Sequence, residues 1–167
     1  MNKIIVIGCP GSGKSTFSRK LHDITGLPLY HLDLIYHNED KTTLSEEEFD
    51  IELDKILIRD KWIIDGNYLR SLKRRCERAS AIYYLDIPIE ICLDSIKSRV
   101  GFKREDMPWI EEELDEEFYE YVKNFPDIQI PKMEEILKDY DDKLIKFTDR
   151  YIADQYLKEI ADGKQEL

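Results

Sequence analysis

The sequence has few cysteines, no long apolar run and no excess of positive charge, and each shortage excludes a class of protein. Three of the 167 residues are cysteine, and because they form no close pair along the chain, we expect a reducing, cytoplasmic location without disulfides or a zinc site. No apolar segment approaches the roughly 18 residues of a membrane span. Lys and Arg number 25 against 36 Asp and Glu, a net charge of −11, which argues against direct binding of nucleic acid or of a membrane surface.

The chain does contain enough apolar residues for a core, 42% of the total, and they lie in short segments that alternate with helical patterns. Strands are predicted at residues 3–7, 27–32, 61–64, 81–85 and 143–147. Because such alternation implies right-handed crossovers, it predicts an α/β fold with a parallel sheet covered by helices on both faces. We expect one domain over residues 1–167.

Residues 101–131 interrupt the alternation of strands and helices. They are rich in Glu, Asp and aromatic side chains. This composition predicts a mobile helical insertion near the rim of a site, in a position that suits a lid.

Residues 8–15 match the phosphate-loop pattern G-x-x-x-x-G-K-[ST] in full, between a predicted strand and a predicted helix. The backbone N–H groups of such a loop aim positive partial charge at phosphate oxygens. The predicted nucleotide-binding residues are Gly8, Pro10, Gly11, Ser12, Gly13, Lys14, Ser15 and Thr16. We expect Lys14 to act on the outer phosphates in catalysis and the Ser15 hydroxyl to ligate Mg²⁺. The competing interpretation is an ordinary glycine turn.

Three predicted strands end in an aspartate, and ligands of open parallel sheets bind at the carboxyl ends of strands. We expect Asp33 to hold the attacking hydroxyl of an acceptor or to take its proton, and Asp65 to bind Mg²⁺ in catalysis. The residues predicted to border the acceptor after Asp65 are Gly66, Asn67 and Tyr68. Aspartate also commonly caps helices and starts turns, and this second interpretation is preferred for Asp86.

Clustered arginines are informative in a chain this acidic. Phosphoryl transfer spreads negative charge over three oxygens, and arginines on a closing lid neutralise it. Arg99 and Arg104 flank the start of the predicted lid and are assigned to this catalytic role, while Arg75 is predicted to face an anionic acceptor. For each of them the alternative is a solvated surface residue.

Four stretches carry a resemblance to a known family: residues 7–16 (IGCPGSGKST), 31–33 (HLD), 62–68 (WIIDGNY) and 75–79 (RCERA). Together they resemble the bacterial DNA topology modulation proteins, which belong among adenylate-kinase-like P-loop proteins. The resemblance implies a three-layer P-loop fold of the nucleoside-monophosphate-kinase type, with a five-stranded parallel sheet. It also implies ATP binding and a small-molecule or nucleotide kinase activity.

A phosphate loop alone leaves kinases, motors, switches and regulators open. Because the chain contains no Asn-Lys-x-Asp run of the kind that recognises guanine, ATP is favoured over GTP. We therefore predict a kinase that transfers the γ-phosphate of MgATP to a small molecule or nucleotide. The alternative is a nucleotide-dependent regulator linked to DNA topology, with slow ATP hydrolysis and a macromolecular partner. The sequence leaves the oligomeric state open.

Cys9 occupies a free position of the phosphate loop. The positive potential of the loop and of Lys14 favours a thiolate and lowers the pKa of a cysteine. We therefore expect Cys9 to be alkylated faster without nucleotide than with MgATP, whereas the alternative is a small filler with no further role.

Overall fold

The fold is built on one sheet of five parallel strands, in a computed structural model that describes residues 2–164. The strands lie across the sheet in the order β2-β3-β1-β4-β5. Their bounds are β1 (Lys3–Gly8), β2 (Leu29–His31), β3 (Trp62–Asp65), β4 (Ala81–Leu85) and β5 (Leu144–Phe147). The predicted α/β fold with a parallel sheet is confirmed.

The central strand β1 shows why this sequence forms a buried parallel sheet. Its residues 4–7 are β-branched and fully buried, as expected of a strand with helices over both faces. The strand pairs with β3 on one side and with β4 on the other, and its register places Val6 opposite Asp65. The phosphate loop that follows β1 therefore lies beside the carboxyl end of β3.

Nine α-helices surround the sheet in the part of the chain that the structure describes. Their bounds are α1 (Lys14–Thr25), α2 (Leu32–Tyr36), α3 (Glu46–Leu57), α4 (Leu69–Arg78), α5 (Ile89–Ser98), α6 (Glu116–Lys123), α7 (Phe125–Ile128), α8 (Ile130–Leu137) and α9 (Arg150–Ala161). Helix α1 packs against α9, and α4 packs against α8. Within residues 2–164, no helix combines the length and the apolar character that a bilayer crossing requires.

Two local predictions differ from the structure. Strand β2 ends at His31, and the chain turns at once into α2, so Asp33 lies in the first turn of a short helix rather than at the end of a strand. In the predicted insertion, residues 101–115 contain neither helix nor strand, whereas residues 116–131 form helices whose Val122 and Phe125 side chains are buried in the core. The acidic composition of this region obscured the spacing of its buried apolar residues.

Helix α8 is also part of the core, because its Met133 side chain is fully buried. We expect Met133→Ala to lower the free energy of unfolding by about 2–5 kcal/mol, the usual cost of a cavity in a core. Ile128→Ala in the neighbouring helix α7 is the control, since half of that side chain is exposed and the loss should stay within about 0.5 kcal/mol. Urea titration measures both, and equal small losses would show that α8 is a peripheral element.

Candidate nucleotide and acceptor site

The carboxyl ends of the strands open into a cavity of about 1360 Å³. Its walls are the phosphate loop, the turn after β3, the 101–115 segment and the first turns of α2 and α9. Most of the predicted site residues meet here: Pro10, Gly11, Ser12, Gly13, Lys14, Ser15, Thr16, Asp33, Asp65, Gly66, Asn67, Tyr68, Arg99 and Arg104 line the cavity. Gly8 and Arg75 lie outside this lining.

The phosphate loop packs so closely against its neighbours that two positions require glycine. A Cβ on Gly11 would lie 2.3 Å from the carbonyl oxygen of Cys92, and one on Gly8 would lie 2.4 Å from that of Leu85. Both glycines also have positive φ, 81° and 149°, which residues with side chains rarely adopt. The loop ends at Gly13, the N-cap of α1, where the first helical N–H groups lack intrahelical partners and can bind an anion.

Asn67 holds the start of this loop from the turn after β3. Its side-chain amide donates from Nδ2 to the carbonyl oxygen of Gly8 (2.7 Å), and its Oδ1 accepts from the Gly8 backbone N–H (3.0 Å). At the other end of the loop, Lys14 Nζ donates to the carbonyl oxygen of Cys9 (3.1 Å). The amide that the sequence assigned to the acceptor border is therefore engaged with the phosphate loop.

Arg150, at the first position of α9, supports the loop from the opposite side. Its Nε donates to the carbonyl oxygen of Ser12 (3.0 Å), and its Nη2 donates to the Ser95 hydroxyl (2.8 Å) and to the carbonyl oxygen of Gly11. These contacts direct the carbonyl groups of the loop toward a fixed cation. The carbonyl oxygens of Gly11 and Ser12 are therefore bound to a cation of the chain and do not face an incoming anion.

The Asp65 carboxylate joins three elements at the base of the cavity. Its Oδ2 accepts from Ser15 Oγ (2.7 Å) at the start of α1 and from His31 Nδ1 (2.8 Å) at the end of β2. An ionised carboxylate only accepts, so the imidazole carries its proton on Nδ1. Asp65 and His31 are both buried, at 4% and 8% exposure, and this burial fixes the orientation of the carboxylate toward Ser15.

The second wall of the cavity carries Asp33, whose Oδ1 accepts from the Tyr68 hydroxyl (2.7 Å). Tyr68 stacks on Phe49, with ring centroids 5.0 Å apart. Burial, and then the charge of Asp33, raise the pKa of Tyr68 far above its usual range. The phenol therefore remains protonated and donates to Asp33. Gly66, with a φ of 139°, packs against Leu32, whose Cβ would lie 2.9 Å from an added methyl group.

Arg75 does not face an acceptor, contrary to the sequence prediction. Its side chain is fully buried, and its guanidinium donates to the backbone carbonyl oxygens of Gly66, Asn67 and Tyr68 and to the Ser71 hydroxyl. Burial lowers its pKa to about 10. Arg75 therefore shapes the turn after β3 from within and lies outside the lining of the cavity.

The 101–115 segment and the end of α5 together bring two arginines and two carboxylates to the rim of the phosphate loop. Arg104 forms a two-pronged ion pair with Asp106 (2.8 and 3.1 Å) and donates to Glu111 (3.0 Å). Arg99 Nε lies 3.2 Å from the same Glu111 oxygen. Burial and the neighbouring Arg104 lower the pKa of Arg99. Both predicted catalytic arginines thus line the cavity, and both are paired with carboxylates of the chain.

Sequence reasoning missed three residues of this site, namely His31, Asp106 and Arg150. His31 stands two positions before Asp33 in the His-Leu-Asp stretch, which was a usable signal. Asp106 follows the assigned Arg104 by two residues, a spacing that suggests a pair. Arg150 begins a helix after the last strand and carried no local signal, because its partners lie more than 50 residues away in the chain.

The cysteine expectation is wrong in its premise. Cys9 is buried, at 5% exposure, and the neighbouring Cys92 thiol and then burial raise its pKa rather than lower it. Cys9 lies close to Cys92 although 83 positions separate them, a proximity that counting along the chain could not reveal. The loop therefore presents backbone groups, not a thiolate, to the cavity.

The fold is shared with solved small-molecule kinases of the P-loop class. A shikimate kinase from Acinetobacter baumannii in complex with shikimate has a TM-score of 0.63, with 17% identity over 99% of this chain and 96% of that one. A gluconokinase from Sinorhizobium meliloti 1021 has a TM-score of 0.59, with 13% identity over 97% of this chain and 90% of that one. Shikimate kinase from Aquifex aeolicus vf5 has a TM-score of 0.57, with 18% identity over 96% of this chain and 94% of that one. No protein-family model and no curated protein matches the chain.

The burial of Cys9, Cys76 and Cys92 predicts that no thiol of the folded protein reacts quickly. Iodoacetamide labelling resolved by peptide should give slow modification at all three, with little change on adding MgATP. Denaturing guanidinium supplies the positive control, in which all three must label fully. Fast labelling of Cys9 that MgATP suppresses would instead support a reactive loop thiolate.

Proposed function

We propose that this protein is an ATP-dependent kinase that phosphorylates a hydroxyl group of a small molecule or nucleotide. The observation that carries the proposal is one cavity with a phosphate loop and the Ser15–Asp65 pair on one wall and an oriented carboxylate, Asp33, on the other. A site with both walls has room for a phosphoryl donor and an acceptor. Likeness to shikimate kinases and a gluconokinase supports the same class of reaction.

The donor wall fits a nucleotide triphosphate. Gly8 and Gly11 keep the loop in a conformation that side chains would prevent, and the loop N–H groups and Lys14 bind phosphate oxygens. ATP supplies the γ-phosphoryl group, and Mg²⁺ offsets part of its charge. Ser15 and Asp65 hold the metal, because hydroxyl and carboxylate oxygens are the protein ligands that Mg²⁺ prefers.

The acceptor wall prepares a hydroxyl for attack. Asp33 accepts the proton of the acceptor hydroxyl, and the Tyr68 phenol keeps the carboxylate in one orientation. A carboxylate held by one donor retains a second oxygen for the acceptor. Specificity for the rest of the acceptor depends on the neighbouring side chains of α2 and of the turn after β3.

The 101–115 segment acts as the lid of this site. Its position at the rim allows Arg104, together with Arg99 at the end of α5, to exchange Glu111 for phosphate oxygens as the reaction proceeds. Arginines delivered in this way stabilise charge that spreads over the transferred group. Closure also excludes water and so favours transfer over hydrolysis.

A more specific form of this proposal is that the protein acts as the DNA topology modulation proteins do, which its sequence resembles. A chain of net charge −11 repels a phosphate backbone. Any effect on DNA topology is therefore indirect, through the supply of nucleotides. The three buried, unpaired thiols suit work in a reducing cytoplasm.

A screen of hydroxyl acceptors with MgATP tests the proposed reaction. We expect ADP release that depends on one class of acceptor, and Lys14→Ala should reduce it by at least about a hundredfold through loss of phosphate stabilisation. Coupled ADP detection measures the rate, and circular dichroism confirms that the variant folds. ADP release that no acceptor stimulates would replace the kinase with a nucleotide-hydrolysing regulator.

Asp33→Asn separates acceptor activation from nucleotide binding. The amide cannot take a proton, so transfer should fall by roughly 100-fold to 10,000-fold while the Kd for MgADP is unchanged. Asp86→Asn is the matched control, because Asp86 also follows a strand but pairs with Lys146 (2.8 Å) outside the cavity lining. Unimpaired transfer in Asp33→Asn, or an equal loss in both variants, would remove Asp33 from the acceptor wall.

A further inference from the structure

We infer that Asp106 of the lid is a third protein ligand of the Mg²⁺ site, so that the metal joins the lid to the phosphate loop. This inference rests on the proposed function, which places Mg²⁺ at Ser15 and Asp65. It adds a residue that neither the phosphate-loop pattern nor the strand-end pattern marks. Asp106 lies 91 positions after Ser15 in the chain, on a segment without regular structure.

The first observation is that the Ser15 hydroxyl contacts two carboxylate oxygens but has one proton to donate. Ser15 Oγ lies 2.7 Å from Asp65 Oδ2 and 2.7 Å from Asp106 Oδ2. A hydroxyl has one proton and donates it to one acceptor at a time. The other contact therefore sets two oxygens side by side without a proton between them. A cation bound at the two carboxylates and the hydroxyl removes this repulsion.

The second observation is the burial of the two carboxylates. Asp65 is 4% exposed and Asp106 is 7% exposed, and Asp65 Oδ1 has no hydrogen-bond partner. A buried carboxylate oxygen without a donor destabilises the folded protein, because it has lost its hydrogen bonds to water and has gained none from the protein. A divalent cation bound to this oxygen would replace the missing hydrogen bond.

The surroundings of the two carboxylates hold them in place. His31 Nδ1 donates to Asp65, and the Arg104 guanidinium grips both oxygens of Asp106. Both carboxylates are thus held in contact with the Ser15 hydroxyl.

The donor set also indicates when the metal binds. Within residues 2–164, no three His, Cys, Asp or Glu side chains come together to hold a metal, so the protein offers two carboxylates and one hydroxyl only. Mg²⁺ is usually bound by one or two carboxylates together with substrate phosphates and water. We therefore expect strong metal binding only when a nucleotide is present.

A competing role for Asp106 has the opposite consequence. If Asp106 only occupies the phosphate region until nucleotide displaces it, the carboxylate inhibits binding and its removal strengthens the nucleotide complex. If Asp106 is a ligand, its removal weakens the metal in that complex. The inhibitory role predicts a change in nucleotide affinity, and the ligand role predicts a change in metal affinity.

Mn²⁺ titration of the full-length protein with ADP, followed by electron paramagnetic resonance of free Mn²⁺, distinguishes these roles, since Mn²⁺ prefers the same oxygen ligands. We expect Asp106→Asn to weaken Mn²⁺ binding to the ADP complex by about tenfold or more without weakening ADP binding in EDTA. Glu105→Gln is the matched control: it removes one negative charge from the adjacent residue, whose exposed carboxylate pairs with Arg19, and it should leave Mn²⁺ affinity unchanged. Asp106→Glu keeps a carboxylate and should retain part of the affinity.

Trp109 provides a second readout, because it lies in the lid and packs against the His37 ring, with centroids 5.2 Å apart. The other tryptophan, Trp62, is fully buried in β3. MgADP should change the tryptophan emission of the wild type more than ADP in EDTA does, and Asp106→Asn should abolish this metal-dependent difference.

Each outcome decides between the hypotheses. Unchanged Mn²⁺ affinity in Asp106→Asn, with or without tighter ADP binding, overturns the ligand role and leaves the kinase proposal intact. A wild-type protein that binds neither ADP nor Mn²⁺ with ADP overturns the proposed function itself. If Asp106→Asn does not fold, Asp106→Glu decides, because unchanged affinity for both metal and nucleotide in a variant with a longer side chain contradicts direct ligation.

Discussion

The contact between Ser15 and the Asp65 carboxylate is the interaction on which the candidate site depends. It exists because β1 and β3 are adjacent and parallel, with Val6 opposite Asp65, so the loop after one strand meets the last residue of the other. His31 at the end of β2 orients the same carboxylate. Residues at or just after the carboxyl ends of three neighbouring strands thus meet at one oxygen atom of Asp65. The cavity opens above these strand ends.

Charge compensation is the second constraint on this molecule. The chain is strongly acidic, and Arg99 and Arg104 at the rim of the cavity are paired with its own carboxylates. Partly buried arginines of this kind cannot remain unpaired without a large desolvation cost. Under the proposed function, binding of phosphate at these arginines therefore requires an exchange of partners within residues 101–115, the segment proposed as a lid.

Three of the sequence predictions that failed share one cause, which is burial. Arg75 was assigned to a ligand because arginines usually face solvent or an anion, yet it is fully buried and binds backbone carbonyl oxygens. Cys9 was expected to be reactive because of the positive loop, yet its pKa rises beside a second buried thiol. Residues 116–131 were read as part of a lid because of their acidic composition, yet their few apolar side chains enter the core.

The sequence by itself determined the alternation of strands and helices along the chain, the parallel sheet, and the phosphate loop between β1 and α1. These features depend on local spacing of apolar residues and on glycines within eight positions, so a single stretch of chain contains the whole signal. Only the tertiary structure decided which charged groups share a site. Ser15 meets Asp65 and Asp106 across 50 and 91 positions, and Arg150 reaches the loop across 138. Such contacts follow from strand order and helix packing, which local patterns do not specify.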